Sequence, residues 1–127
     1  MTIELPIQKR SINPETEEIL VTERSAKFEL DTSVYSEERW EQNFPALAEK
    51  EGLFQYISRI QEGAVTERVK VICMMKAIFC FIESREITTY KDFVQMFDLA
   101  TPEYTERLIA KLHNAFKLIL QGSSVKN

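Results

Sequence analysis

One stretch of the chain, from Val69 to Ile82, constrains the fold more than any other because it is apolar almost all round at helical spacing. Lys70 and Lys76 are the charged residues that interrupt it. A helix with apolar side chains on every side belongs in the middle of a domain. The stretch is shorter than the ~20 apolar residues that a transmembrane helix needs. The sequence therefore predicts a central helix packed inside a soluble domain.

Start and stop signals around this stretch predict further helices. Thr66 and Thr89 are residue types that cap helix N-termini. The tripeptide 101–103, Thr-Pro-Glu, places a cap, a first-turn proline and an acid in the order typical of a helix start. A helical apolar stripe follows, made of Tyr104, Leu108, Leu112, Ala115, Phe116 and Ile119. The chain has only three glycines, and all of them fall at predicted helix ends: Gly52, Gly63 and Gly122.

The first predicted helix follows a cluster of capping residues, Asp31-Thr32-Ser33. Its apolar stripe consists of Val34, Trp40, Phe44 and Leu47. Pro45 interrupts this stripe and either restarts the helix as its first residue or kinks it. Gly52 is expected to end the segment in a C′-like position.

The N-terminal region has a different pattern. Ile3, Leu5 and Ile7 alternate with polar residues, which is the period of a strand. Pro6 would confine that strand to a sheet edge because proline has no backbone N–H. The segment 19–21 is rich in β-favouring residues, and Asn13-Pro14 marks a turn. A small β-hairpin or an ordered arm is therefore expected here.

These patterns predict a mainly α fold: a single compact helical domain of five to six helices with a small N-terminal β-hairpin or arm. The expected boundaries are a β-like arm over 1–31, a helical domain over 32–122 and a polar C-terminal tail over 123–127.

The charge of the chain is uneven. The net charge is −4, but residues 1–62 hold thirteen acids and seven bases, whereas residues 63–127 hold seven acids and nine bases. A solvated acidic half accounts for this pattern, and so does head-to-tail self-association of oppositely charged faces. The absence of an overall basic excess argues against nucleic-acid binding.

The sequence offers little for catalysis. Cys73 and Cys80 are seven positions apart on the central helix, roughly 10 Å along its axis, too far to form a disulfide. His113 is the only histidine, so a zinc site has almost no candidate ligands. Glycine-rich phosphate loops and the nucleophile-elbow motif are not found in the sequence. We therefore expect no enzyme activity, no metal and no cofactor. The N-terminus lacks the pattern of a signal peptide, so a cytoplasmic protein is expected.

Large apolar side chains are the candidates for partner binding. Trp40 is the only tryptophan, and tryptophan is enriched at interface hot spots. Adjacent methionines suit an adaptable apolar surface. The candidate set is Trp40, Phe44, Phe54, Tyr56, Met74, Met75 and Phe81. Each of these residues also suits a hydrophobic core, and burial distinguishes the two roles.

Four segments carry a family resemblance. They are Asp31 to Pro45 (DTSVYSEERWEQNFP), Leu53 to Ile60 (LFQYISRI), Ala77 to Ser84 (AIFCFIES) and Ile119 to Asn127 (ILQGSSVKN). Together they resemble the tail assembly chaperones of long-tailed phages and prophages of Gram-positive bacteria, over most of residues 28–127.

The resemblance implies a non-enzymatic role in phage tail morphogenesis. Such chaperones bind the tape measure protein in the host cytoplasm, keep it soluble, help to recruit tail tube subunits and are absent from the mature virion. Binding would place apolar helices in a groove. The family also implies homo-oligomers and a longer form made by ribosomal frameshifting. Codons for Val125-Lys126-Asn127 can form the slippery heptamer A-AAA-AAC, which predicts this heptamer in the gene.

A small helical DNA-binding regulator or adaptor is the alternative. The segments 90–97 and 102–121 are joined by a short turn, as in a helix-turn-helix. The second segment carries few basic residues, and an apolar stripe takes up much of its surface. Both features argue against this alternative.

Overall fold

A computed structural model describes residues 1–63 and 66–123, with side chains through Gln121. Within these residues the strands are β1 (Thr2–Ile12), β2 (Ile19–Leu30) and β3 (Ile82–Glu83). The helices are α1 (Val34–Asn43), α2 (Pro45–Ala48), α3 (Leu53–Glu62), α4 (Glu67–Phe81), α5 (Tyr90–Val94) and α6 (Pro102–Ser123).

The expected fold class is wrong. The structure is 54% helix and 22% strand, with a three-stranded antiparallel sheet, and is a mixed α/β fold rather than mainly α with a small hairpin. Two features account for the difference. The hairpin is longer than predicted. The outer halves of its strands have exposed side chains on both faces, so they lack the alternation of apolar and polar residues that indicates a strand. The end of the predicted central helix, Ile82, begins β3 instead.

The sheet has the order β1-β2-β3. Its long ladder pairs Ile3 with Phe28 at the inner end and Ile12 with Ile19 at the outer end. Pro6 lies in β1, which is an edge strand, as its missing N–H predicted. The outer side of β1 is tied at one point to the segment after α5, where the Gln8 N–H donates to the Met96 carbonyl at 3.2 Å.

The sheet and the helices share one hydrophobic core. Leu5 and Phe28 from the hairpin belong to the same buried cluster as Trp40, Ile78 and Phe116 from the helices. The segment expected to be an arm, over 1–31, and the segment expected to be a helical domain thus contribute to one common core. Helix α4 packs against α1, α3, α5 and α6. It holds the central position that its apolar surface predicted, although one side of it stays open.

Several predicted helix signals match the structure. Thr66 caps α4 by accepting from the Val69 N–H, and Thr89 caps α5 by accepting from the Asp92 N–H. The stripe of α6 is buried throughout, at Tyr104, Leu108, Leu112, Ala115, Phe116 and Ile119. Ser33 caps α1 as expected.

Three local expectations are wrong. Gly52 is the N-cap of α3 with an ordinary φ of −74°, not a left-handed C′ residue. Val34 is 78% exposed rather than part of the buried stripe. Gly122 lies inside α6, which runs on to Ser123. The rest of the predicted polar tail, including Val125-Lys126-Asn127, lies outside the described residues.

None of the helices in the described part of the chain combines the length and apolar character needed to cross a membrane.

Candidate functional site

An apolar groove opens on the uncovered side of α4. Its walls come from α4, α5, the segment after α5 and the first half of α6, and its volume is about 210 Å³. The lining residues are Val71, Ile72, Met75, Tyr90, Val94, Phe97, Leu99 and Leu108. Ile72 and Leu99 are 43% and 45% exposed, so apolar side chains of the groove face solvent.

The groove exists because α5 is too short to cover its neighbour. Helix α4 has 15 residues and α5 has five. At 1.5 Å per residue these are about 22 Å and about 8 Å long. The chain then leaves α5 and is held against the hairpin through Asp98, whose N–H donates to the Gln8 carbonyl at 3.0 Å. Part of the apolar surface of α4 consequently has no helix over it.

Basic residues frame the groove. Arg68 and Lys76 lie one helical turn before and after Ile72, and Lys91 lies one turn before Val94. Asp98, beside the groove-lining Leu99, is already engaged by the Arg10 guanidinium. An apolar partner with acidic flanks would therefore meet favourable charges at the rim.

The size and lining of the groove suit apolar side chains of a protein partner. Small-molecule pockets are commonly about 300–1,000 Å³ and hold a few converging polar groups. This groove is smaller and almost entirely apolar. Met75 in its floor has a flexible thioether side chain that adapts to different shapes. The arrangement can accept a few anchor side chains from a helix or a strand.

Burial and hydrogen bonding define the surroundings of Cys80 and His113, two side chains considered above for chemistry. No group of three or more potential metal ligands occurs within the part of the chain with described side chains. Burial raises the pKa of the Cys80 thiol to about 12, so it is a poor nucleophile. His113 lies with its Nδ1 2.6 Å from the Gln61 Oε1. Its pKa is lowered, first by burial and then by the nearby Lys70.

The structure places most of the predicted partner-binding residues in the core. The buried ones are Trp40, Tyr56, Met74, Met75 and Phe81, and the half-buried ones are Phe44 and Phe54. The five aromatic residues of this set form two clusters. Trp40 contacts Phe44 and Tyr56 in one aromatic cluster, and Phe54 contacts Phe81 in another. Of the set, only Met75 also lines the groove.

Sequence reasoning missed the exposed residues of the groove, above all Ile72 and Leu99. The sequence pattern places Ile72 on a helix that is predicted to be buried on all sides. The missing signal was the short distance between Thr89, which caps α5, and Pro102, which begins α6. The helix predicted within that spacing covers only residues 90–97, and a helix of this length leaves part of the longer α4 uncovered.

Comparison with known proteins finds no match among family models, curated proteins or solved structures.

Proposed function

We propose that this protein is a non-enzymatic phage tail assembly chaperone that holds apolar helical segments of the tape measure protein in the groove beside α4. The observation that carries the proposal is the groove itself, an exposed apolar surface with a basic frame and a flexible methionine in its floor. The resemblance of the segments from Asp31 onward to tail assembly chaperones supplies the identity of the client.

The binding mode in this proposal is a helix laid along the groove. An amphipathic helix presents apolar anchors at positions i, i+3, i+4 and i+7, and such anchors enter a groove between helices. Contacts of this kind shield the apolar face of a client without chemistry. A client whose apolar face is shielded in this way stays soluble until tail tube subunits assemble around it. The proposal therefore includes a role in recruiting tail tube subunits.

Several features of the proposal come from the resemblance alone. These are the recruitment of tail tube subunits, action in the host cytoplasm, absence from the mature virion and a frameshifted longer form. The gene sequence tests the last of them, because Lys126 encoded as AAG would remove the predicted heptamer.

Co-expression with the tape measure protein tests the function directly. We expect the soluble fraction of the tape measure protein to rise when the wild-type chain is present. The variants Ile72→Glu and Leu99→Glu should abolish this gain, because each places a charge in the apolar groove at a partly exposed position. Val34→Glu is the matched control, since Val34 is an exposed apolar residue on α1 and is not among the residues that line the groove.

Two outcomes would count against the proposal. If the tape measure protein is no more soluble with the wild-type chain than without it, the chaperone role fails. If the wild-type chain instead binds DNA with an affinity that falls as salt rises, the DNA-binding alternative is favoured.

A further inference from the structure

The outer part of the β1–β2 hairpin, here called the hairpin end (residues 12–21), has no core beneath it. Ile12, Ile19, Leu20 and Val21 are between 51% and 66% exposed. Ile12 and Ile19 are directly paired across the ladder. An isolated two-stranded hairpin is only marginally stable in water. Exposed apolar side chains on such an element indicate a surface that is covered by a partner.

The hairpin end is also acidic. Glu15, Glu17 and Glu18 lie in and beside its turn, and no basic residue occurs between Ile12 and Val21. The turn is well defined, because the Asn13 N–H donates to the Glu18 carbonyl at 2.9 Å. The hairpin end therefore presents apolar side chains next to three negative charges.

The groove has the complementary properties. It exposes Ile72 and Leu99, and the bases Arg68, Lys76 and Lys91 lie one turn from its lining residues. The acid Glu67 lies one turn before Val71, so the frame keeps an excess of two positive charges on α4 and α5. Apolar contacts with opposite charges around them favour one specific orientation.

A molecule does not fill its own groove with its own hairpin end. The base of the hairpin is fixed beside the groove by the ion pair between Arg10 and Asp98, with 2.9 Å between Nε and Oδ2. From there the strands continue outward, and none of the apolar residues of the hairpin end lines the groove. The hairpin end matches the groove in apolar character and charge, but only the hairpin end of a second copy can reach it.

We propose that the groove beside α4 binds the hairpin end of a second copy of this chain. Ile19 and Val21 lie on the same face of β2 and enter the groove, while the acids of the turn meet Arg68 and Lys91. Because the two surfaces differ, the contact is heterologous and builds chains or rings, unless two molecules exchange hairpin ends reciprocally. Like the proposed function, this inference requires that the groove is a binding surface. A client that enters the groove would displace the hairpin end and release the subunits.

Pairing between two hairpins is the competing arrangement. The outer edge of β2 is paired with β3 only at Glu29 and Leu30, and no other described strand covers it. An uncovered edge can pair with another strand. Such an assembly would need the hairpin of both molecules and the groove of neither, so variants separate the two arrangements.

Sedimentation of the purified full chain over a range of concentrations tests the inference. The hairpin variant carries Ile12→Thr, Ile19→Thr and Val21→Thr, which remove the apolar surface of the face that enters the groove while keeping strand propensity. The groove variant carries Ile72→Glu and Leu99→Glu. We expect each variant to weaken self-association at least about tenfold, since the contact depends on a few anchor side chains. Val34→Thr is the control and should associate like the wild-type chain.

Mixing the two variants is the decisive step. The hairpin variant retains an intact groove and the groove variant an intact hairpin end, so the mixture should associate more strongly than either variant alone. Raising the salt concentration should weaken the wild-type association because charges at the rim contribute to it. Circular dichroism of each variant confirms that the folded structure is retained.

Three results would overturn the inference. They are a wild-type chain that is monomeric at every concentration, a groove variant that associates normally, and a mixture that stays monomeric. The proposed function fails separately, in the co-expression experiment. Loss of self-association with retained solubilisation of the tape measure protein would reject only the contact between copies.

Discussion

Trp40 is a buried residue of α1 that packs against α3 and against the chain that follows α1. Its side chain is 1% exposed, and its ring centroid lies 4.6 Å from that of Tyr56 and 5.6 Å from that of Phe44. Its Nε1–H donates to the Glu51 carbonyl at 3.0 Å. A buried tryptophan that also satisfies a backbone carbonyl stabilises the fold through both packing and hydrogen bonding. In the folded monomer it presents almost no surface to a partner.

Replacing Trp40 therefore tests stability. We expect Trp40→Ala to lower the free energy of unfolding by about 3–5 kcal/mol, because it opens a cavity and removes the aromatic contacts. Urea denaturation followed by circular dichroism measures the change. Tyr35→Ala is the control, since Tyr35 lies on the same helix with about half of its side chain exposed. A Trp40→Ala protein as stable as the control would show that Trp40 is not a core residue.

Among the elements, α6 and β1 are linked by one buried hydrogen bond. The Tyr104 hydroxyl donates to the Pro6 carbonyl at 2.6 Å, and burial raises the pKa of this tyrosine above its ordinary value. The Arg107 guanidinium, one turn further along α6, pairs with Glu23 of β2. The long helix thus contacts both strands of the hairpin and fixes the direction in which the hairpin end projects.

Tyr104→Phe removes the hydroxyl and leaves the ring in place. We expect a loss of about 1–3 kcal/mol in the free energy of unfolding, because the buried Pro6 carbonyl is left without its donor. Chemical denaturation measures it, with Tyr35→Phe as the matched control at an exposed position. If the two substitutions have equal effects, the hydrogen bond does not stabilise the hairpin against α6.

The elements differ in how far their sequences predict them. The caps at Thr66 and Thr89 and the stripe of α6 are local signals, and the structure has them where they were expected. The outer hairpin has no such signal, because its side chains are exposed on both faces. Strand β3 is stabilised by its partners in β2, which a local pattern does not contain. The groove exists because α5 covers only part of α4, and this too depends on tertiary packing.

At the scale of the whole molecule, the hairpin divides into two parts with different support. The inner part contributes Leu5, Ala26 and Phe28 to the common core, whereas the outer part carries no buried side chain from Lys9 to Ser25. Local opening requires less free energy where few apolar contacts are lost. The inner and outer parts of this one ladder should therefore differ in stability against local opening. The outer part should become more stable when a partner covers it.

Amide hydrogen exchange can compare two positions in this ladder that differ mainly in burial. The hydrogen bond from Asn13 to Glu18 and the antiparallel register place the pairs Leu5/Ala26 and Ser11/Leu20 in the same hydrogen-bonded class. In the groove variant, in which the proposed association is weakened, we expect Leu5 and Ala26 to exchange as slowly as the core of α4. Ser11 and Leu20 should exchange at least about a hundredfold faster.

The same measurement on the wild-type chain connects this difference in stability to assembly. If hairpin ends occupy grooves of other copies, Ser11 and Leu20 should become more protected as the protein concentration rises, while Leu5 and Ala26 should not change. Equal protection of both pairs in the groove variant would show that the whole hairpin opens as one unit. Faster exchange of Leu5 and Ala26 than of α4 would show that the hairpin opens separately from the helices. That result would contradict a single cooperative core.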